Sequence, residues 1–234
     1  MTLVESKPAA TPSVQVDRSA ETTAAGIPWY AFNQFRHAVR LRWPSIWSIP
    51  VVRDPYDLVT AAQVAPASIL DVGATCRSRE AGLAARWPET AYRSLDIDRS
   101  MPQDYHSFAE LDQAFDLVMS LEVLEHVRPD TALDLVASCR DATRPGGLVL
   151  MSVPNVYTPA VQLEFTHETA YHYADLGAIL TWAGLEVVAA ARLFTRPGSR
   201  LMLHRLASPV HRLLGIDYCQ TVNILARRPE AASL

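Results

Sequence analysis

The chain has 234 residues, 49% of them hydrophobic and 20% charged, with a formal net charge of −4. That balance supports one substantial core; it excludes a disordered or fibrous chain and gives no basic footprint for long nucleic acid. No apolar run reaches the ~20 residues needed to span a bilayer, and the N-terminus lacks the order of a secretory signal, so a cytoplasmic protein is expected. Cys76, Cys139 and Cys219 lack CxxC spacing, which argues against structural zinc or disulfides and fits a reducing compartment.

Residues 1–25 are rich in Ala, Thr, Ser and Pro and are expected to be a disordered tail, because they bury too little surface to offset ordering entropy. Residues 26–54 turn aromatic and basic, with Trp29, Tyr30, Phe32, Phe35, Arg36, Trp43 and Trp47. They read as a short helical segment broken at Pro44 and Pro50, which either caps a pocket or packs on the main domain. From residue 55 to 230 strand and helix signals alternate as an α/β fold requires. A helix is expected around Pro55 to Val64, a buried strand over Ser68 to Val72, a helix over Glu80 to Trp87 and a strand over Tyr92 to Ile97. Phe115 to Ser120 follows as a strand, then a helix from Thr131 to Thr143 closed by a Pro145-Gly146-Gly147 turn, and a strand from Leu148 to Val153. The C-terminal third holds a helix from Tyr173 to Ala183 stopped by Gly184, a strand from Leu185 to Ala191, a basic segment from Arg196 to Leu214 and a last strand from Gln220 to Arg227. The basic segment has an apolar face beside Arg and His, and reads as a helix face packed on the sheet or as a dock for a membrane or an anionic substrate. There is no internal repeat.

Three places carry polar chemistry at the carboxyl ends of strands, where open parallel sheets bind ligands. Ile69-Leu70-Asp71-Val72-Gly73 ends a strand in an acid and a glycine that lets backbone approach a ligand. Ser94-Leu95-Asp96-Ile97 ends in an acid able to accept two ribose hydroxyls, in a register ambiguous with Asp98, or simply to cap a helix. The run from Phe115 to Val127 places Glu122, Glu125 and His126 directly after a buried strand. Those acids can serve a helix start, and His126 or His167 can act as a general base, since imidazole titrates near neutral pH. Tyr171, His172 and Tyr173 are further candidates for contact with a substrate.

The Phe115 to Val127 run resembles the fourth-strand motif of class I S-adenosylmethionine-dependent methyltransferases, especially the branch with ubiquinone-biosynthesis O-methyltransferases and RNA-end 2′-O-methyltransferases. The resemblance covers roughly residues 55–230. It implies a Rossmann-like α/β fold: a seven-stranded sheet with an antiparallel last strand, helices on both faces and a small N-terminal helical lid. It implies S-adenosylmethionine as cofactor, with Asp71, Gly73 and Ala74 at its methionine end, Asp96 and Ile97 at the ribose, Ser107 and Phe108 at the adenine, and Leu121 at the end of the fourth strand. The family's D-x-G-x-G-x-G loop reads here Asp71-Val72-Gly73-Ala74-Thr75-Cys76-Arg77, so Thr75 and Arg77 stand where two glycines are expected and close approach is harder. In metal-dependent members, two glutamates three apart, the adjoining histidine and a second histidine ahead of the next helix bind Mg²⁺ or a similar ion; Glu122, Glu125, His126 and His167 match. The implied reaction is O-methylation of a small molecule in cofactor or secondary metabolism. The alternatives are metal-free N- or C-methylation and a non-catalytic S-adenosylmethionine-binding scaffold with a decayed loop, while the acidic balance disfavours RNA ends.

Overall fold

Continuous apolar runs, buried on both faces, build the sheet of this computed structural model, which describes residues 26–158, 161, 163–194 and 199–230. The expected tail lies outside the described residues. The strands are β1 (Val51–Val52), β2 (Ser68–Val72), β3 (Ala91–Leu95), β4 (Phe115–Leu121), β5 (Thr143–Pro154), β6 (Glu186–Leu193) and β7 (Thr221–Arg227). They form one sheet in the order β1-β6-β7-β5-β4-β2-β3. β7 is antiparallel to β5 and β6, and the other pairings are parallel. The fold is the Rossmann-like, seven-stranded methyltransferase architecture that the resemblance implies.

Successive residues of a strand face opposite sides, so one run feeds two cores. Leu70, Val118, Val149 and Met151 join the core on one face, while Ile69, Leu117, Met119, Leu148 and Leu150 join the core on the other. The helices are α1 (Trp29–Arg42), α2 (Asp57–Ala61), α3 (Glu80–Arg86), α4 (Pro129–Ala142), α5 (Tyr173–Trp182) and α6 (Ser199–Leu214). α4 begins at Pro129, earlier than the expected Thr131, because proline is preorganised for the first helical turn.

Two features differ from the sequence expectation, and two segments take one of the forms it left open. The seventh strand is the two-residue edge strand Val51–Val52, paired with Arg192 and Leu193. It is too short to show any periodicity. The Pro145-Gly146-Gly147 turn is not a connector outside the sheet but part of β5, whose pairing with β4 shifts register there. A Cβ on Gly147 would sit 2.8 Å from the Thr143 methyl and 3.0 Å from the Asp116 carbonyl oxygen, so only glycine fits. The aromatic segment is one 14-residue helix followed by a 3₁₀ turn, and its Val39, Trp43, Ile46 and Ile49 enter the main core. α1 lies against α5: Gly177 admits Val39, Phe35 packs edge-on to Trp182 at 6.3 Å, and Arg36 pairs with Asp175 at 2.6 Å. Finally, the basic segment forms α6, with its first residues, 196–198, outside the described residues.

One buried ion pair ties these outer pieces to the sheet. Arg192 on β6 donates from Nε to the Ile49 carbonyl at 2.8 Å and from Nη1 to Asp217 at 2.6 Å, and its guanidinium stacks over Trp47. Trp47 in turn donates to the Ile216 carbonyl at 2.8 Å. Both charges are almost fully buried, so removing one leaves the other in a low dielectric. Arg192→Met is therefore expected to lower unfolding free energy by about 3–5 kcal/mol in urea denaturation.

Candidate active site

β2, β3 and β4 end side by side, and their last residues make a crevice. The Gly73 and Ala74 amides donate to the Leu95 carbonyl at 2.8 and 3.4 Å, which turns the chain sharply after β2. Gly73 has φ +74°, and a Cβ there would lie 2.4 Å from a Val123 methyl. The loop keeps a glycine-type backbone beyond that point without glycines: Thr75 has φ +47° and Arg77 φ +56°. Left-handed backbone at a β-branched residue is strained and persists only where neighbours hold it. Thr75 donates its amide to Asp96 Oδ2 at 2.8 Å and accepts from Gln103 Nε2 at 2.6 Å. Arg77 pairs with Glu80 and Asp104, each at 3.0 Å, and lies over the Tyr92 ring.

These bonds separate Asp96 from Asp98. Asp96 is buried at the strand end and touches the loop, while its other oxygen accepts the Asp98 amide at 2.9 Å. Asp98 is exposed and accepts the Ser100 amide at 2.8 Å, which holds its carboxyl below the usual range. Asp71 is fully buried and committed internally: the Tyr92 hydroxyl donates to it at 3.0 Å and Arg79 lies at 3.5 Å. Burial raises its pKa, and Arg79 and Tyr92 pull it back. Arg79 also donates to the Leu121 carbonyl at 3.1 Å. Arg79 carries no sequence motif, so reading by spacing misses it; its place eight residues after the buried acid is the only trace. Ile97 is exposed at the rim. Ser107 precedes the 3₁₀ turn Phe108–Glu110, and half-buried Phe108 lines a separate surface pocket with Leu111, Asp112 and Ala142.

The second half of the site follows β4. Glu122 has φ +58°; its amide bonds to Ser152, and the Ser152 hydroxyl donates back to its carboxylate at 2.6 Å. Burial raises the Glu122 pKa against the pull of Ser152, Arg79 and His167. The 3₁₀ turn Leu124–His126 then presents Glu125 and His126. Glu125 is 1% exposed, and neither carboxylate oxygen has a hydrogen-bond partner. Burial, reinforced by Glu122, pushes its pKa up to about 8. His126 Nδ1 lies 3.2 Å from the Thr166 carbonyl and His167 Nδ1 3.0 Å from the Val161 carbonyl. A carbonyl only accepts, so each ring donates from Nδ1, which leaves Nε2 as the atom turned to other partners. The two rings meet edge to face at 4.8 Å. One donor atom from each of Glu125, His126 and His167 falls within 4.8 Å of the others, whereas Glu122 stands beside this group, tied to Ser152.

This cluster opens on a cavity of about 520 Å³ lined also by Pro154, Thr158, Val161 and Thr221, a volume suited to a small molecule. The three aromatic candidates are not among the residues that line this cavity. His172 accepts the Ala174 amide as the N-cap of α5, Tyr173 donates to the Trp43 carbonyl at 2.8 Å, and Tyr171 is buried.

A family described as a methyltransferase domain matches residues 35–195. The chain belongs to the class I methyltransferase family. The match begins within α1, upstream of the residue 55 boundary expected from the sequence. No curated protein sequence matches the chain. Among solved structures, a SAM-dependent methyltransferase from Archaeoglobus fulgidus is 17% identical, with a TM-score of 0.52 over 84% of this chain and 94% of that one. The N-methyltransferase NodS from Bradyrhizobium japonicum WM9, solved with S-adenosyl-L-homocysteine, is 16% identical, with a TM-score of 0.50 over 87% and 92%. An O-methyltransferase family protein from Burkholderia thailandensis is 15% identical, with a TM-score of 0.51 over 86% of this chain and 60% of that one. These likenesses are of fold, and they span more than one acceptor atom.

Two outcomes follow for this methyltransferase. Between the ordinary carboxyl value and about 8, folded Glu125 keeps a proton that the unfolded chain has released, so stability falls as pH rises through that window. Unfolding free energy should drop by up to ~3 kcal/mol from pH 5 to 8, and Glu125→Gln should flatten the decline in urea titrations at stepped pH. Thr75→Gly should raise stability by about 1 kcal/mol by relieving left-handed strain, measured the same way; a loss would mean that the threonine side chain makes a needed contact.

Proposed function

We propose that this methyltransferase moves the methyl group of S-adenosylmethionine to an oxygen of a small-molecule acceptor seated in the cavity beside Glu125, with a divalent cation assisting. The observation that carries the reading is the buried Glu125 carboxylate, which has no hydrogen-bond partner among the described residues and lies 3.9 Å from His126 Nε2, facing two histidines that are each held through Nδ1. Buried charge without a partner is costly, and two imidazoles already oriented through Nδ1 are arranged as ligating histidines are.

The residues present fit both groups. For the cofactor, Gly73 and Ala74 form a tight turn, Asp96 offers lone pairs beside it, and the end of β4 at Leu121 closes the crevice. Bound S-adenosylmethionine supplies an electrophilic sulfonium methyl. Asp71 would act through Arg79 and Tyr92, holding the strand ends in register. For the cation, Glu125, His126 and His167 would be the ligands, with Glu122 and Ser152 behind them. Such an ion lowers the pKa of an acceptor hydroxyl, and a mixed carboxylate and imidazole set suits Mn²⁺, Co²⁺ or Zn²⁺ as well as Mg²⁺. The protein's own contribution is orientation and exclusion of water around the acceptor.

The test is calorimetric titration of the full chain with S-adenosylmethionine and S-adenosyl-L-homocysteine, with each metal and with chelator, in the native protein and in His126→Ala, His167→Ala and the double variant. Cofactor affinity should survive in all three variants, metal binding should be lost in each, and the double variant should be no worse than a single one, because both rings serve one ion. Metal-free binding and turnover unaffected by chelator would leave His126 as a base for N- or C-methylation. Absence of cofactor binding would leave a scaffold.

A further inference from the structure

The exposed apolar side chains concentrate where α6 and the segment after β5 leave the sheet. On α6, Met202, Leu206, Val210 and Leu213 recur at intervals of four, four and three, and all are exposed, Leu206 at 71% and Leu213 at 86%. That spacing puts them on one stripe of the helix, with exposed Leu214 beside it. The opposite side faces the body: Ala207 and Ser208 are half-buried, the His211 ring meets Tyr218 at 4.9 Å, and Arg212 stacks over Trp47. One side of α6 therefore packs on Trp47 and Tyr218, which lie outside the strands, and the other side is exposed.

Charge decides what the stripe fits. From Arg196 to Leu214 there is no acid, and with His211 and Arg212 turned to the body the segment still carries Arg196, Arg200, His204 and Arg205, in a chain whose net charge is −4. A second copy docked through this helix would bring like charges face to face, which opposes a two-fold contact. An anionic bilayer surface meets both demands, taking the leucines into the acyl boundary and the arginines among the headgroups. α6 joins the carboxyl end of β6 to β7, and Gln220 and Thr221, just after it, line the cavity. Leu163 and Phe165, 80% and 94% exposed, lie in the neighbouring segment that carries His167.

We infer that α6 is an interfacial helix that docks this protein on anionic membrane, with the rim holding the cavity turned toward the bilayer. The inference stands apart from the reading of metal and acceptor atom. It is tested by flotation of the full chain with vesicles of equimolar phosphatidylglycerol and phosphatidylcholine, and with phosphatidylcholine alone. Flotation is expected with the anionic vesicles, weakening as salt is raised, and about tenfold less for Leu206→Glu/Leu213→Glu, with circular dichroism showing an unchanged fold. Leu206→Ala/Leu213→Ala should fall between the two. No flotation on anionic vesicles, equal flotation of the glutamate variant, or a concentration-dependent dimer in ultracentrifugation that the variant abolishes would overturn it.

Discussion

Burying a carboxylate near the end of an inner strand costs solvation that water would otherwise supply, and Asp71 recovers it through Arg79 and the Tyr92 hydroxyl. The rest of the crevice depends on that compensation. Tyr92 lies near the start of β3, and Arg79 reaches across to the Leu121 carbonyl at the end of β4, so one buried acid near the end of β2 links three strands. A fully buried group with two directional partners tolerates little displacement. The distances between the Gly73 turn, Asp96 and the residues after β4 are thereby fixed before any ligand arrives.

Stiffness at the strand ends explains how the loop retains a glycine-type path with the wrong residues. Four non-glycine residues have positive φ among the described residues, and Thr75, Arg77 and Glu122 lie at this one rim. Each is held by bonds from a different element: Thr75 by Asp96 and Gln103, Arg77 by Glu80 and Asp104, and Glu122 by Ser152 on β5. Strain of this kind survives only when surrounding structure over-determines it, and it gathers where backbone geometry serves a ligand. The substituted loop is thus better described as rebuilt than as decayed.

Much of this was legible from residues alone, for physical reasons. The central strands announce themselves because both faces are buried, which makes Ser68–Val72 and Phe115–Leu121 nearly unbroken apolar runs, and the acids at their ends stand out against them. Glu125, His126 and His167 could be grouped because the resemblance supplied the long-range step from residue 126 to 167. What stayed hidden lacks a local signal. Val51–Val52 is defined by its partner strand rather than by its own pattern. Gly146 and Gly147 have the chemistry of a turn, and only the register shift against β4 makes them a bulge. Arg79 resembles any surface arginine until Asp71 and Leu121 are seen beside it, and nothing in the sequence shows that Asp96 rather than Asp98 holds the Thr75 amide.

The cluster after β4 also shows how two distant segments arrive at one geometry. The Glu125 carbonyl accepts the amides of Glu168 and Thr169 at 2.8 and 3.3 Å, so the backbone of the residue whose carboxylate faces the histidines also positions the segment that carries His167. The reverse link runs through His126, whose Nδ1 bonds to the Thr166 carbonyl. These bonds are reciprocal: the 3₁₀ turn Leu124–His126 anchors residues 166–169, and that segment fixes the ring orientation of His126. Neither half can be displaced without losing the other, which makes the assembly of Glu125, His126 and His167 a single cooperative event. Any ligand that enters the cavity meets side chains already oriented, and the cost of ordering them has been met in folding rather than in binding.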